Sequence, residues 1–200
     1  LVRSGACDAW GRRRDLLWEL GLVNRPRTVQ RVHEQLSLEL DPTVATPALA
    51  DLSPWERMLA DYATTSISVD VHPLTLLRPQ LPDDVLRSDV LNERPHRSRV
   101  AFAGMAVARQ RPATASGIVF MLLEDEVGQV NLIVSPELYE RNRAVVRGEP
   151  LLLVRGRFER LEDNRNIVVD SLESLGGLAR KLASADVGAM LPPAHHFGHR

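Results

Sequence analysis

Between residues 99 and 175 the sequence changes from strand-like patterns to one helix-like pattern and back, and this order limits the possible folds most. The run VAFAGMAVARQ alternates and is rich in small and β-branched residues. The runs GIVFMLLED and GQVNLIVS follow, separated by a turn at 125–128 in which Gly128 suits a left-handed position. Pro136 then begins a helix with Ser135 as its N-cap. Two more strand-like runs, PLLLVRGRFERLE and RNIVVDSLESL, complete the region.

The resulting order is strand, strand, strand, helix, strand, strand. This is the order of the OB-fold, a five-stranded Greek-key barrel. Gly104 and Gly156 fall inside strands, where a small barrel needs bends. With the helices that precede it, the barrel predicts an α+β fold of short helices followed by a five-stranded OB-fold β-barrel.

The first predicted helix covers residues 11–21 (GRRRDLLWELG), where Leu16, Leu17 and Leu20 form an apolar stripe. Arg12, Arg13 and Arg14 crowd its first turn, where the helix dipole disfavours cations. We therefore expect an external anion or an acidic neighbour at this turn, or else a solvated face.

A second helix begins after Ser53, the predicted N-cap, and runs to about Thr64. Further short helices are predicted near 72–78 and 83–92. The residues of the second helix with the spacing of a buried face are Trp55, Met58, Leu59 and Tyr62.

Three regions follow from these patterns. Residues 1–93 form a helical segment that includes a loop at 22–52, with at most one short helix near 29–36. Residues 94–175 form the OB-fold domain, and residues 176–200 form a C-terminal tail. The first residue is Leu1 rather than Met. We therefore expect either a fragment of a longer polypeptide or a gene with a non-standard start.

The formal net charge is −1, which argues against a uniformly basic nucleic-acid binder. The distribution is uneven, because residues 34–93 hold eleven acids and three arginines, whereas residues 94–172 hold twelve arginines and ten acids. Only one of the 25 basic residues is a lysine, so almost every cation can make forked contacts with phosphate or carboxylate. The charge pattern therefore leaves nucleic-acid binding open for the barrel.

The sequence gives little support for a membrane-spanning, catalytic or metal-binding function. No apolar run is long enough for a membrane span. A single cysteine, Cys7, cannot form an internal disulfide, which predicts a reducing, cytoplasmic compartment, and we expect it to be a small buried residue. No P-loop, GxGxxG, GxSxG or paired CxxC motif is present. Residues 124–126 could bind a divalent metal or close a hairpin. The HHxxH sequence at 195–199 could bind zinc or be a mobile tail, and His72 could cap a helix or pack in the core.

The strand 119–124 offers the clearest binding site. OB-folds bind oligonucleotides on strands two and three and on the loops between strands one and two and strands four and five. If alternate residues of this strand fill the barrel, Phe120 lies outside, near the first loop, where its ring can stack on a base. The alternative is that Phe120 is core and that a neighbouring helix covers Leu122. The residues expected inside are Val119, Met121 and Leu123.

The two predicted loops supply polar partners. The first spans residues 109–117 and the second runs from Arg160 to Arg165, while Asn131 could bond a base edge from the third strand. Glu124 shares the outer face and repels phosphate. The predicted nucleic-acid-binding residues are Arg109, Arg111, Thr114, Phe120, Asn131, Arg160 and Arg165.

Three segments of the chain follow one another in the order LVRSGACDAWGRRRDLLWELG, DYATTSISVDVHPLTLLRP and GMAVARQRPATASGIVFMLLEDEVGQVNLIVSPELYERNRAVV. In these segments and in their order, the sequence resembles the C-terminal third of bacterial C-family replicative polymerases, most closely the error-prone branch that copies damaged DNA. Residues 24–50 and 179–200 depart from it. The barrel also resembles the anticodon-binding domain of class II aminoacyl-tRNA synthetases. This implies base stacking at Phe120 and backbone contacts at Arg109 and Arg111.

The polymerase resemblance implies a non-catalytic role in translesion DNA synthesis. The segment would follow a helix-hairpin-helix region that grips duplex DNA, and the barrel would bind single-stranded or primed template. Implied partners are the sliding clamp and a lesion-bypass adaptor. No catalytic residue, metal site or cofactor is expected in this chain, whereas the parent polymerase would use Mg²⁺ on a palm domain. The alternatives are a stand-alone single-strand-binding module and a protein–protein docking module whose acidic helices cover the barrel face.

Overall fold

The computed structural model describes residues 1–23, 47–91, 93–161, 164–183 and 195–197. The chain divides into two compact units, Leu1–Ser53 and Pro54–Arg200. The short helix considered near 29–36 and the loop tip at Asp163 lie outside the described residues. No helix among the described residues is both long and apolar enough to cross a membrane.

The first unit contains a 3-10 helix at Asp8–Trp10 and helix α1 at Arg13–Val23. The expected acidic neighbours of its arginines are present, since Arg13 donates to Asp8 at 2.9 Å and Arg12 donates to Asp15 at 2.7 Å. Cys7 is buried as predicted. Arg12 and Arg13 are therefore balanced by carboxylates within the unit, whereas Arg14 donates to the carbonyl oxygen of Ala50 at 2.9 Å.

The second unit begins with helix α2 at Pro54–Thr65, helix α3 at Pro73–Leu77 and a 3-10 turn at Arg78–Gln80. The predicted apolar face of α2 is confirmed, because Trp55, Met58, Leu59 and Tyr62 are all buried. His72 caps α3, with its Nδ1 accepting from the backbone N–H of Leu74 at 3.2 Å.

The prediction of a helix at 83–92 is wrong for the first half of this range. Strand β1 occupies Val85–Leu86, and only Ser88–Leu91 forms a helix, α4. The reason is long-range pairing, since β1 runs parallel to the first barrel strand and places Val85 beside Ala101. Pairing of this kind cannot be detected in a local helical pattern.

The barrel has five strands and two short helices, in the predicted order. They are β2 (Arg99–Gln110), β3 (Val119–Glu124), β4 (Gln129–Val134), α5 (Pro136–Arg141), α6 (Arg143–Gly148), β5 (Leu151–Leu161) and β6 (Asn164–Ser174). Neighbouring strands follow the order β2-β3-β4-β6-β5, and pairing of β5 with β2 closes the barrel. The α+β OB-fold prediction is therefore confirmed.

Details of the barrel correct two local predictions. Gly128 does not have a positive φ. The atom nearest to a Cβ added at Gly128 would be Oγ of Ser88, at 3.2 Å. The predicted helix after Ser135 is interrupted at Asn142, so that α5 and α6 are separate. Ser135 does cap α5, accepting from the Leu138 N–H at 3.2 Å.

The C-terminal region contains helix α7 at Gly176–Ala183 and strand β7 at His195–Phe197. The tail interpretation of the HHxxH sequence is wrong for these three residues, because β7 pairs in parallel with Ala108–Gln110 of β2. This is the stretch of β2 beyond its pairing with β5, which ends at Met105. An unpaired strand edge readily accepts another strand, which accounts for the position of β7.

Two apolar cores lie on the two sides of the β2–β5 sheet. The inner core fills the barrel with residues such as Phe102, Leu123, Leu132 and Phe158. The outer core lies under α2, α3 and α7, which cover the outward-facing side chains of β2 and β5. The covering helices are therefore placed on one side of the barrel, away from the outward-facing residues of β3 and β4.

Candidate nucleic-acid interface

The outer surface of β3 carries the predicted aromatic side chain. Phe120 is 37% exposed, whereas Val119, Met121 and Leu123 are at most 3% exposed and fill the barrel. Its cross-strand neighbours are Gln110 on β2 and Ile133 on β4. The prediction that Phe120 faces outward is therefore confirmed, and the alternative that it belongs to the core is wrong.

The loop beside Phe120 holds Arg111 and Thr114. Arg111 has a 45% exposed side chain, with its guanidinium carbon 4.5 Å from the ring centroid of Tyr139 and Nη2 3.6 Å from Glu140. Thr114 is exposed on a 3-10 turn at Ala113–Ala115, which ends in two left-handed residues, Ser116 and Gly117. The ring contact holds Arg111 near the surface while part of its guanidinium stays in water.

Asn131 lies on β4, exposed, between Leu122 of β3 and Asn166 of β6. Its side-chain amide makes no hydrogen bond with the residues that the structure describes. The barrel thus brings Phe120, Arg111, Thr114 and Asn131 to one face and its adjoining loop, which we call the β3–β4 face.

Arg109 does not belong to this face, contrary to the prediction. It lies within β2 rather than in a loop and is 6% exposed, with Nη2 donating to the carbonyl oxygen of Glu149. Burial lowers the pKa of its guanidinium, an effect that the Glu149 carboxylate opposes. A guanidinium in this position joins β2 to the start of β5 and cannot reach a phosphate in solvent.

Arg160 and Arg165 are also separated from the β3–β4 face. They are directly opposite each other on β5 and β6. Arg160 is two residues from Phe158, and Arg165 is two residues from Ile167. Both of these core side chains are fully buried. Because alternate residues of a strand share a face, both arginines lie on the inner side of the hairpin, beyond the end of the barrel.

The acidic cluster 124–126 closes the hairpin, which was one of its two predicted roles. The Asp125 carboxylate accepts from the backbone N–H of Ser88, Val127 and Gly128 at 2.7 to 2.9 Å. Glu126 accepts two hydrogen bonds from Arg78, at 2.9 and 2.8 Å. Among the residues that the structure describes, no three metal-binding side chains form a group. Of the three terminal histidines, only the side chain of His195 is described.

Sequence reasoning missed Ile133 and Val168, which are partly exposed and extend the apolar part of the face beyond Phe120. The signal for Ile133 was present in GQVNLIVS. Val130, Leu132 and Val134 alternate as inward residues and are at most 4% exposed, which leaves Asn131 and Ile133 outside. Val168 could not be located in this way, because its neighbour on β4 depends on a parallel pairing between distant segments.

Similarity to known proteins extends over most of the chain. An error-prone DNA polymerase from Anaeromyxobacter sp. (strain K) is 44% identical over 177 residues, which cover 88% of this chain and 15% of the relative. Error-prone DNA polymerases from Pseudomonas syringae pv. tomato and Corynebacterium efficiens are 38% and 36% identical over 88% of this chain and 16% of their own length. No protein-family model matches the chain.

Solved structures give only distant similarity. An asparaginyl-tRNA synthetase from Pyrococcus horikoshii, complexed with asparaginyl-adenylate, has a TM-score of 0.41 and 16% identity over 47% of this chain and 23% of its own. The hypothetical protein ygiW from E. coli has a TM-score of 0.36 and 15% identity over 44% of this chain and 87% of its own. The polymerase relatives match at much higher identity, and this chain spans only about one sixth of their length. The chain is therefore a homologue of one segment of the bacterial error-prone DNA polymerases.

Proposed function

We propose that this chain is a non-catalytic part of an error-prone DNA polymerase and that its barrel binds single-stranded template DNA on the β3–β4 face. The role is to hold the template during translesion synthesis. The parent enzyme's metal chemistry, with Mg²⁺ bound by palm carboxylates, would belong to other segments. The sliding clamp and a lesion-bypass adaptor are the partners that we propose from the polymerase resemblance.

The exposure of Phe120 carries this proposal. An aromatic ring that is 37% exposed, with a partly exposed Ile133 beside it, offers a surface on which a base can stack. Arg111 adds a cation at the adjoining loop, and Asn131 adds an amide that makes no hydrogen bond with the described part of the chain. Together they supply the stacking, charge and polar contacts that single-strand binding requires.

Two observations remove objections to this site. The helical layer of α2, α3 and α7 packs on β2 and β5, so it does not cover the β3–β4 face as the docking-module alternative requires. Glu124 lies four residues from Phe120 along β3, or roughly 13 Å. That distance exceeds the Debye length of about 8 Å at physiological salt, so its repulsion of a phosphate near Phe120 is largely screened.

The test is fluorescence anisotropy of a labelled single strand with the full chain, repeated over a salt series. Phe120→Ala is expected to weaken binding about 5- to 150-fold, because stacking contributes about 1–3 kcal/mol per base, without changing the salt dependence. Arg111→Ala is expected to lower the salt slope by about 0.7, the value for one phosphate contact with a single strand.

Leu182→Ala and Arg180→Ala are the matched controls. Leu182 and Arg180 lie on α7, on the helical side of the barrel. The exposure of Leu182, 37%, equals that of Phe120. Neither change is expected to affect DNA binding. Absence of binding at low salt would contradict the proposal. Equal losses in the control and site variants would show that the β3–β4 face is not the site.

A further inference from the structure

A row of cross-strand neighbours begins at Phe120 and leaves the β3–β4 face. Phe120 is opposite Ile133, Ile133 is beside Val168 on β6, and Val168 is opposite Arg157 on β5. Arg157 is in turn opposite Arg99 on β2. Because paired residues project from the same face of a sheet, these five side chains form one outward-facing row, which we call the cross-strand row. It crosses four strand intervals, or roughly 19 Å in total.

The end of the cross-strand row carries two arginines. Arg99 and Arg157 are exposed, and neither guanidinium forms a hydrogen bond or ion pair with any part of the chain that the structure describes. Like charges directly opposite each other on paired strands repel. An anion bound between them would relieve this repulsion, so the pair favours a negatively charged ligand.

A cavity of about 480 Å³ adjoins this end of the row. Arg99 lines it together with Arg94 and with Arg155, which is paired with Asp84. Arg94 has no side-chain partner among the described residues. The register of β5 and β6 shifts between Arg155 and Gly156, and this irregularity lies in the cavity wall. Two guanidinium groups with no partner among the described residues, those of Arg94 and Arg99, therefore line the cavity beside Arg157.

The cavity is not a simple anion pocket. Its lining contains three arginines and three aspartates, namely Arg94, Arg99, Arg155, Asp83, Asp84 and Asp170. A free phosphate therefore gains little net attraction there. A phosphate that belongs to a strand already held at Phe120 arrives at a high effective concentration, so that even weak contacts add affinity.

Taken together, and resting on the proposed function, the geometry points to Arg99 and Arg157 as phosphate contacts of a single strand that runs from Phe120 along the cross-strand row. The path runs across β4, β6 and β5, perpendicular to the strands, and ends at the cavity beside Arg99. The hairpin of Arg160 and Arg165 is not on this path, because those two arginines lie on the other side of the same strands. The row thus extends the site past the strands that sequence reasoning indicated.

The test compares oligothymidylates of about four and about twelve nucleotides, which fall within the site sizes of OB-folds, about 4–16 nucleotides. The double variant Arg99→Ala/Arg157→Ala is expected to weaken binding of the longer oligonucleotide and to lower its salt slope by about 1.4, or about 0.7 for each phosphate. Binding of the shorter one, which occupies the Phe120 end, is expected to stay unchanged. Arg180→Ala/Lys181→Ala, which removes two exposed neighbouring bases of α7, is the matched control and is expected to change neither.

Different failures are distinguishable. An unchanged salt slope in the double variant, with Phe120→Ala still weakening binding, would overturn the cross-strand row and leave the proposed function intact. Equal losses for both lengths would also overturn it, because the arginines would then not act at a distance from Phe120. Absence of binding of either length to the unmodified chain would overturn the proposed function and this inference together. Thermal melting of each variant verifies that the fold is retained.

Discussion

His72 combines a structural hydrogen bond with a titratable ring that is largely buried. Its Nδ1 accepts from the Leu74 N–H, and its Nε2 lies 3.8 Å from Glu124 and has no hydrogen-bond partner among the described residues. Burial lowers the pKa of His72 below its ordinary value of 6.5, and this outweighs the raising effects of Glu124, Glu126 and Asp125. The folded state therefore favours the neutral ring, which is also the form that can accept at Nδ1.

This predicts that acid weakens the fold through His72. Since the folded pKa lies below the unfolded one, the unfolded chain binds the proton first as the pH falls. The contribution of the neutral ring is complete above about pH 6.5 and is lost as the pH falls through the folded pKa. Urea unfolding at pH 7.5 and 5.5 should show a larger loss of stability for the unmodified chain than for His72→Asn, which keeps a capping oxygen but does not titrate. Equal losses would show that another group is responsible.

The positions of single residues could be predicted only where the pattern stays local. Phe120 was placed correctly because period-two alternation in β3 needs no information from elsewhere. Arg109 was predicted in the loop 109–117, but β2 continues to Gln110 and includes it. Within β2 the pairing with β3 shifts between Ala106 and Ala108. The extra residue reverses the alternation, so Arg109 turns inward, and nothing in the sequence marks this bulge.

Strand β5 depends on a glycine at its irregularity. A Cβ built on Gly156 would lie 2.2 Å from the backbone oxygen of Val168, so the strands would have to separate. We expect Gly156→Ala to reduce the free energy of unfolding by about 1–3 kcal/mol, as overpacking of a core does. Gly177→Ala in α7 is the control, because nothing lies within 4 Å of its added Cβ, and it should leave stability unchanged or slightly higher. Similar melting temperatures for the two variants would contradict this account.

Longer elements were predicted better than short ones. The apolar face of α2 and the five barrel strands carry enough repeats of one period to be recognised locally. Val85–Leu86 and His195–Phe197 are strands of two and three residues that exist because each pairs with an edge of β2. Their partners are distant in sequence, so short-range patterns gave no indication of them.

In the second unit, the covering helices and the barrel share one outer core. Outward-facing residues of β2 and β5 are buried against Trp55, Leu74 and Ala179 from the three covering helices. The sequence predicted an order of elements but placed a boundary at 93/94, and it could not show which side of the barrel the helices cover. Because the helices cover β2 and β5, Phe120 on β3 remains exposed to solvent.

The shared core predicts that the barrel segment alone is unstable. Residues 94–175 would expose an apolar surface that α2, α3 and α7 cover in the unit Pro54–Arg200. Large exposed apolar patches favour aggregation, so we expect residues 54–200 to unfold cooperatively and residues 94–175 to aggregate or melt at a lower temperature. Replacing Met105 and Leu153, both in the outer core, by polar residues should restore solubility to the shorter polypeptide if this surface is the cause. A barrel segment that melts at the same temperature as residues 54–200 would show that the helices are accessory and that the strands alone set the stability of the β3–β4 face.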